Sequence, residues 1–476
     1  MMVWVRVLLI MVIFYTSFTG FGVAEEPLKF SYDVEVLYRA IIEGGVPDTA
    51  VLPIPGEFAD KGFSFRVTPA LYIGSIVQEK IPRDRYTKPL NAYENFYTYE
   101  RTPPFMTMSF DFSAGFFRFH VDYPLKREYL LFNLRDETNL LVTDRYPHIS
   151  VDLNFPYNAY GMFQLGQQYI VIGRCKLRWG EALYPVALSD TSPYYDNLTY
   201  RLNAGDLKYT FHYISINPIL TKSEWEEQGK DTGSDIPRLK TLVGHRLDVY
   251  ISKNFRWGIG ELTMIGGRVP DLHLISPFVI YHNNFESNTN TMGVLDFSWT
   301  PFSGLNIYGE LALDDIIIPP SESFDSPTIY AYNLGLRIPF KILEGSFLLN
   351  LEYIKVTELM YGKHLPYLRF YNRITYLTNF PPSRNIVDYP TGFAYGPDAE
   401  MLVFLLSYFD DGTIANLEIF GLNKGPRDLH TPYEENVEGE MKKVLGARFS
   451  VTWKNMGITL EFVNGRWRSG VSWKIM

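Results

Sequence analysis

The feature that most constrains this chain is an alternation of apolar and polar residues with period two, recurring in segment after segment. In the stretch Ile149-Ser150-Val151-Asp152-Leu153-Asn154-Phe155 the apolar set is Ile149, Val151, Leu153 and Phe155, while Ser150, Asp152 and Asn154 point the other way. Such a segment is a strand with one greasy face. Residues 207–213 repeat the pattern with Lys208, Thr210 and His212 on the polar side, and residues 305–314 do so with Asn306, Tyr308, Glu310 and Asp314. Near the end, Leu445, Ala447, Phe449, Val451 and Trp453 alternate with Gly446, Arg448, Ser450 and Thr452. Beyond residue 24 no apolar run approaches the roughly 20 residues that a membrane-spanning helix needs. If this chain enters a membrane, it does so as a barrel.

The connections support that reading. Short ones such as Trp453-Lys454-Asn455-Met456-Gly457 alternate with long polar ones at residues 78–104, 222–240, 379–400 and 422–440, which is the habit of outer-membrane barrels. Aromatics make up 16% of the chain and cluster near strand ends, as in Phe116-Phe117, Tyr194-Tyr195 and Trp467, which suits girdles at a membrane interface. The expected fold is all-β: a transmembrane antiparallel barrel of about 16 to 18 strands, at roughly 10 to 12 residues per strand, with a short N-terminal helix. A soluble all-β protein is the alternative, but its outward face should be the polar one.

Two N-terminal segments depart from the β pattern. Residues 1–24 read as a signal peptide, with a basic start at Arg6, an apolar stretch and the small-x-small end Gly22-Val23-Ala24. Residues 33–44 have helical spacing, with Val34, Leu37, Tyr38, Ile41 and Ile42 on one side and a Gly44-Gly45 stop. The expected division is a signal over 1–24, a helical segment over 25–60 that caps or fills the barrel mouth, and the barrel over 61–476. Outer-membrane lipid and the barrel assembly machinery are then implied partners, and the outer membrane the location.

Charge and cysteine usage remove other classes. A net charge of -9 offers no basic field to nucleic acid. The single Cys175 leaves no disulfide scaffold or thiolate zinc site, and the eight histidines form no ligand spacing. No metal and no cofactor is expected. No GxSxG surrounds any serine, and Glu310 and Asp314 share one face of one strand instead of flanking a glycosidic bond, so no enzyme is expected.

Three stretches together resemble the Wzi-like capsule assembly family of outer-membrane barrels. They are the helix at 33–45 with Val46-Pro47, the segment from Leu177-Arg178-Trp179-Gly180-Glu181 to Leu188-Ser189-Asp190, and the block from His245-Arg246-Leu247 to Asp314-Asp315. Within the last, Ile259-Gly260-Glu261, Pro277-Phe278-Val279-Ile280-Tyr281-His282-Asn283 and residues 305–315 are nearest. The resemblance implies about 18 strands, helical pieces near the periplasmic mouth, and a role in attaching or organising surface polysaccharide. The C-terminal Trp473-Lys474-Ile475-Met476 departs from the aromatic end usual in such barrels.

The candidate sugar-binding residues are Trp179, as a flat stacking face, Glu181 and Asp190 as hydroxyl acceptors, Tyr194 and Tyr195, and a second polar group of Tyr281, His282 and Asn283. Each has a plainer reading as a packing anchor, girdle or solvated turn. The expected lumen-lining set is Lys208, His212, Arg246, Asp248, Asn306, Glu310, Asp314 and Arg448, with Asn350 and Glu352 beside them. Its mixed signs fit a filled lectin barrel and also a general diffusion porin, the second functional reading. A soluble exported carbohydrate-binding protein is the third.

Overall fold

The computed structural model describes residues 28–29, 33–48, 51–55, 62–76, 90–91, 102–128, 138–142, 151–154, 156–232, 239–270, 272–276, 279–281, 288–315, 328–379, 382–463 and 465–474. The signal-peptide reading of 1–24, and His282 and Asn283, lie outside them.

Eighteen antiparallel strands pair in chain order and close on themselves. They are β1 (Gly62–Ile76), β2 (Met106–Ala114), β3 (Phe117–Leu125), β4 (Asn158–Leu165), β5 (Gln168–Cys175), β6 (Tyr195–Ala204), β7 (Leu207–Ile216), β8 (Lys240–Ser252) and β9 (Phe255–Gly266). The second half is β10 (Thr289–Phe302), β11 (Leu305–Asp315), β12 (Ile329–Ile342), β13 (Gly345–Val356), β14 (Ala399–Asp410), β15 (Thr413–Lys424), β16 (Lys442–Trp453), β17 (Met456–Val463) and β18 (Arg466–Lys474). Closure is made by β18 on β1, with Val471 opposite Ile73 and Trp473 opposite Leu71, despite the unusual C-terminal residues. A closed ring leaves no unpaired strand edge, which in lipid would strand backbone groups at several kcal/mol each. Among the described residues no helix is long and apolar enough to cross a membrane.

Short turns, as at residues 205–206, 253–254, 303–304 and 454–455, join the strands at one end, and long connections rise from the other except between β17 and β18, where only two residues intervene. Exposed aromatics mark the short-turn end: Phe63, Phe116, Trp257, Phe302, Trp453 and Trp473. This is the interfacial girdle expected of a barrel in lipid. Along β10 buried and half-buried residues alternate for most of its length. Inside lie Met292, Val294, Asp296, Ser298 and Thr300, while Trp299 is exposed outside.

That inward row changes character along its length. Toward the long-connection end, here called the outer end, it is apolar: Ile214, Leu242, Leu262, Met292, Ala331, Ile354 and Met401 are fully buried in one core. Toward the short turns it is polar, with Asp248, Asp296, Asn306, Arg337 and Asn350. The outer core is completed by the connection between β13 and β14, which supplies Tyr361, Phe370, Tyr371 and Phe393. Within it a hairpin of Tyr371–Asn379 and Pro382–Pro390 stands off the wall and pairs with Leu90–Asn91.

The helix expected near the N-terminus is α1 (Val34–Ile42), started by the Asp33 side chain, which accepts from the Glu35 N–H. It sits in the short-turn mouth, where Leu37 and Ile41 pack on Leu348 and Tyr38 meets Phe409 edge-on at 5.2 Å. Gly44 then turns the chain with φ of 74°. The following segment climbs the inner wall: the Lys208 ammonium and the Tyr250 hydroxyl donate to Asp48, and Arg201 donates to the carbonyls of Val51 and Pro53.

Candidate functional site

The connection between β5 and β6, residues 176–194, folds into the lumen and meets the climbing N-terminal segment in a small antiparallel bridge. Arg178 stands opposite Leu52 and Trp179 opposite Val51. This plug is the centre of the molecule.

Trp179 anchors it. The ring is fully buried, lies beside His212 at 5.8 Å between centroids, and fits over two glycines of the wall. A Cβ built on Gly244 or Gly260 would come within 3.1 or 3.2 Å of the indole. The next residue, Gly180, takes φ of 77° and passes close to the Glu310 carboxylate. An L side chain would be strained there and crowded too.

Glu181 joins the plug to a buried charge network. Its carboxylate accepts from Arg256 at 3.2 Å and Arg337 at 3.1 Å, and Arg337 also donates to the Glu181 carbonyl. Arg256 pairs with Asp248 and Asp296, and Arg246 pairs with the same two. Three guanidinium groups therefore face three carboxylates, a neutral set whose members are all essentially inaccessible to solvent. Such a set resists the loss of any one member more than it adds to stability as a whole.

The plug's tip is held through its backbone. The Glu352 carboxylate accepts the N–H groups of Leu183 at 2.7 Å and Tyr184 at 3.0 Å, and the Tyr308 hydroxyl at 2.7 Å. Glu310 accepts those of Val186 at 3.0 Å and Ala187 at 3.2 Å, with the Asn333 amide at 3.1 Å. Two carboxylates from neighbouring regions of the wall thus satisfy four main-chain donors of an irregular segment that would otherwise bury them unpaired. Beyond the tip, the Tyr184 hydroxyl donates to Glu418 at 2.9 Å and accepts from Arg448 at 3.0 Å.

Cavities flank this tip. One of about 570 Å³ faces α1 and is lined by Glu181, Asn350, Asn416, Arg448, Thr459 and Arg468 among others. One of about 250 Å³ lies on the outer side, between Arg178, Asp190, Thr191 and Tyr395.

The structure does not gather the candidate sugar-binding residues into one surface. Trp179 and Glu181 are buried inside the plug, so neither offers a face or an acceptor to a ligand in this conformation. Tyr195 is likewise buried, its hydroxyl donating to the Ser189 carbonyl at 3.1 Å. Tyr281 lies across the wall, outside the barrel, stacked on His245 at 4.6 Å and buried with Val243 and Ile265. Asp190 and Tyr194 are the two left near the outer opening. Asp190 pairs with Arg178 at 3.3 Å, and Arg174 lies over the half-buried Tyr194 ring at 4.0 Å. The lumen set is placed on the inner face throughout, but His212, Arg246, Asp248, Asn306, Glu310 and Asp314 are buried, and Asp314 accepts the Tyr361 N–H at 3.1 Å. Sequence reasoning missed the paired roles of Glu310 and Glu352. The available signal was the apolar inward row of β10 to β15, which calls for something to cover it.

Above the plug, helix α2 (Lys222–Thr232) and the hairpin share a buried ion cluster. Arg373 donates to Glu224 at 2.7 and 2.9 Å and to Asp388 at 2.7 and 2.6 Å, and His430 approaches Asp388 at 2.8 Å. Burial alone would raise both carboxyls. The Arg373 charge, joined by His430 at Asp388, holds them below the usual carboxylate range instead.

No protein-family model matches the chain, and no curated protein sequence does. Among solved structures it aligns with Wzi of Escherichia coli, described as an outer membrane protein involved in group 1 capsule assembly and a carbohydrate-binding β-barrel. The TM-score is 0.59 over 94% of this chain and 99% of that one, at 11% identity. The fold is Wzi-like. OccK5 of Pseudomonas aeruginosa and a BenF-like porin from Pseudomonas fluorescens align at TM-scores of 0.40 and 0.41, each at 10% identity over 88% of this chain and 99% and 100% of theirs. The Wzi-like barrel, with its lipid-facing exterior and aromatic girdle, is an outer-membrane protein.

Proposed function

We propose that this outer-membrane barrel binds surface polysaccharide at its outer end, without catalysis, and is not a general diffusion pore. The observation that carries the reading is the apolar outer half of the barrel, where inward residues of β7 to β15 form one buried core with the plug and the connection between β13 and β14. A general porin needs a wide polar bore through that level. The carbohydrate-binding description of the Wzi structure supports the polysaccharide half of the reading. On this chain the groups that suit a sugar are those of the smaller cavity on the outer side of the plug tip, Asp190, Thr191 and Tyr395, with Arg178 beside them.

The test uses purified barrel in detergent and polysaccharide isolated from the surface of the same cells. Saturable binding that weakens at least tenfold in Asp190→Ala/Thr191→Ala, with no shortening of the glycan on prolonged incubation, is the expected result. An open-channel conductance in planar bilayers together with no glycan binding would replace this reading with the porin one.

A further inference from the structure

The cavities on the two sides of the plug tip have three lining residues in common: Leu183, Tyr184 and Glu418. A single layer of side chains therefore divides a chamber of about 570 Å³ from one of about 250 Å³. The Tyr184 main chain is pinned by Glu352, whereas its side chain is half-buried and reaches across to Glu418 and Arg448 through its hydroxyl. Rotation of that side chain breaks two hydrogen bonds on a partly wet surface and leaves the buried anchor at Trp179 and Glu181 untouched.

We propose that Tyr184 is the gate of a narrow passage for small, uncharged or zwitterionic hydroxyl-rich solutes, which skirts the plug on the side of β14 to β17. On the opposite side the inner half of the wall is filled by the buried ion network and the Glu310 and Glu352 clamps, whereas here a cavity lies against the wall. Its inward residues are polar and small, as in Ser407, Asn416, Ser450 and Thr459, and Thr459 is exposed inside the lumen. The charged groups around the larger chamber are Arg337, Arg448 and Arg468 against Glu181, Glu418 and Glu461. Equal numbers of each sign produce no net field to favour anions or cations. A lining of amides, hydroxyls and paired charges instead offers both donors and acceptors, the groups a small polyol exchanges for its water. Its outer chamber is the cavity assigned above to glycan, so bound glycan should block the passage, and swelling of liposomes free of glycan reads the passage alone.

The test is swelling of proteoliposomes carrying the full barrel, with arabinose as the small neutral probe and the tetrasaccharide stachyose as the large one. The wild type should admit arabinose slowly and Tyr184→Ala at least tenfold faster, with stachyose excluded by both. Tyr184→Phe, which keeps the ring and loses the two hydrogen bonds, should fall between them and guards against a misfolded alanine variant. Heat-modifiable migration on gels shows that each variant is folded. Thr459→Cys in the Tyr184→Ala background should lose its arabinose flux on reaction with a bulky thiol reagent. Folded Tyr184→Ala and Tyr184→Phe barrels as tight as the wild type would overturn the proposal. Entry of stachyose would do so too, since it would mean that the whole plug had left.

Discussion

Replacing Glu352 by Ala should loosen the plug tip without unfolding the barrel. The carboxylate is fully buried and accepts two main-chain N–H groups, from Leu183 and Tyr184, besides the Tyr308 hydroxyl. Its loss leaves three donors without an acceptor, two of them main-chain groups of the plug that count against docking at about 1–3 kcal/mol each, so docking weakens by about 2–6 kcal/mol. At about 1.4 kcal/mol per factor of ten, the undocked fraction rises by roughly one to four orders of magnitude. Full release also requires breaking the Glu310 contacts to Val186 and Ala187, so the single variant should show brief, infrequent openings and Glu310→Ala/Glu352→Ala long ones. The barrel wall keeps its strand pairing in both, because these side chains add nothing to the ladder between β11, β12 and β13. Planar-bilayer recording of each purified protein reads the openings, and resistance to unfolding in detergent before heating shows that the wall is intact. A folded double variant with the same closed baseline as the wild type would refute the clamp.

Three further outcomes follow from the same geometry. Leu334, exposed on the outer face midway along β12, should tolerate Arg poorly, losing about 2–4 kcal/mol in a refolding titration into lipid, whereas Ser450→Arg on the inner face should lose far less; equal losses would contradict the assignment of faces. Because Asp388 and Glu224 titrate below their ordinary values of 3.8 and 4.5, their pairing with Arg373 stabilises the outer hairpin above those values and fades as pH falls through the lower folded ones. Protease resistance of the outer connections should thus hold from neutral pH to about 4 and drop below it, and Asp388→Asn should show weaker resistance at pH 7 with a shallower acid limb. Deleting residues 470–476 removes the pairing of Gly470 to Lys474 with β1 and should abolish heat-modifiable protein in the outer membrane, since both freed edges would face lipid.

The alternation in residues such as 445–453 and 305–314 is a local property, written by neighbours two apart, and a strand keeps it wherever it is placed. Most strands with their inward and outward faces, the N-terminal helix at 34–42 and the barrel itself were therefore legible in the sequence, but the alternation at 149–155 misled: its described residues, 151–154, lie in the connection between β3 and β4, with Asp152 buried and Leu153 exposed. The plug was not legible. Glu310 and Glu352 look like ordinary lumen carboxylates, and their partners at 183–187 are more than 120 positions away in sequence. Which main-chain donors reach them depends on how far each strand is staggered against the next once the ring closes. The same holds for Trp179, whose exposed or buried fate rests on Gly244 and Gly260 standing diagonally across adjacent strands, and for Tyr281, which the chain carries over the outside of the wall. Period-two patterning determines which way a side chain points, but what it meets there is set by closure of the barrel and by the segments that fold back into it.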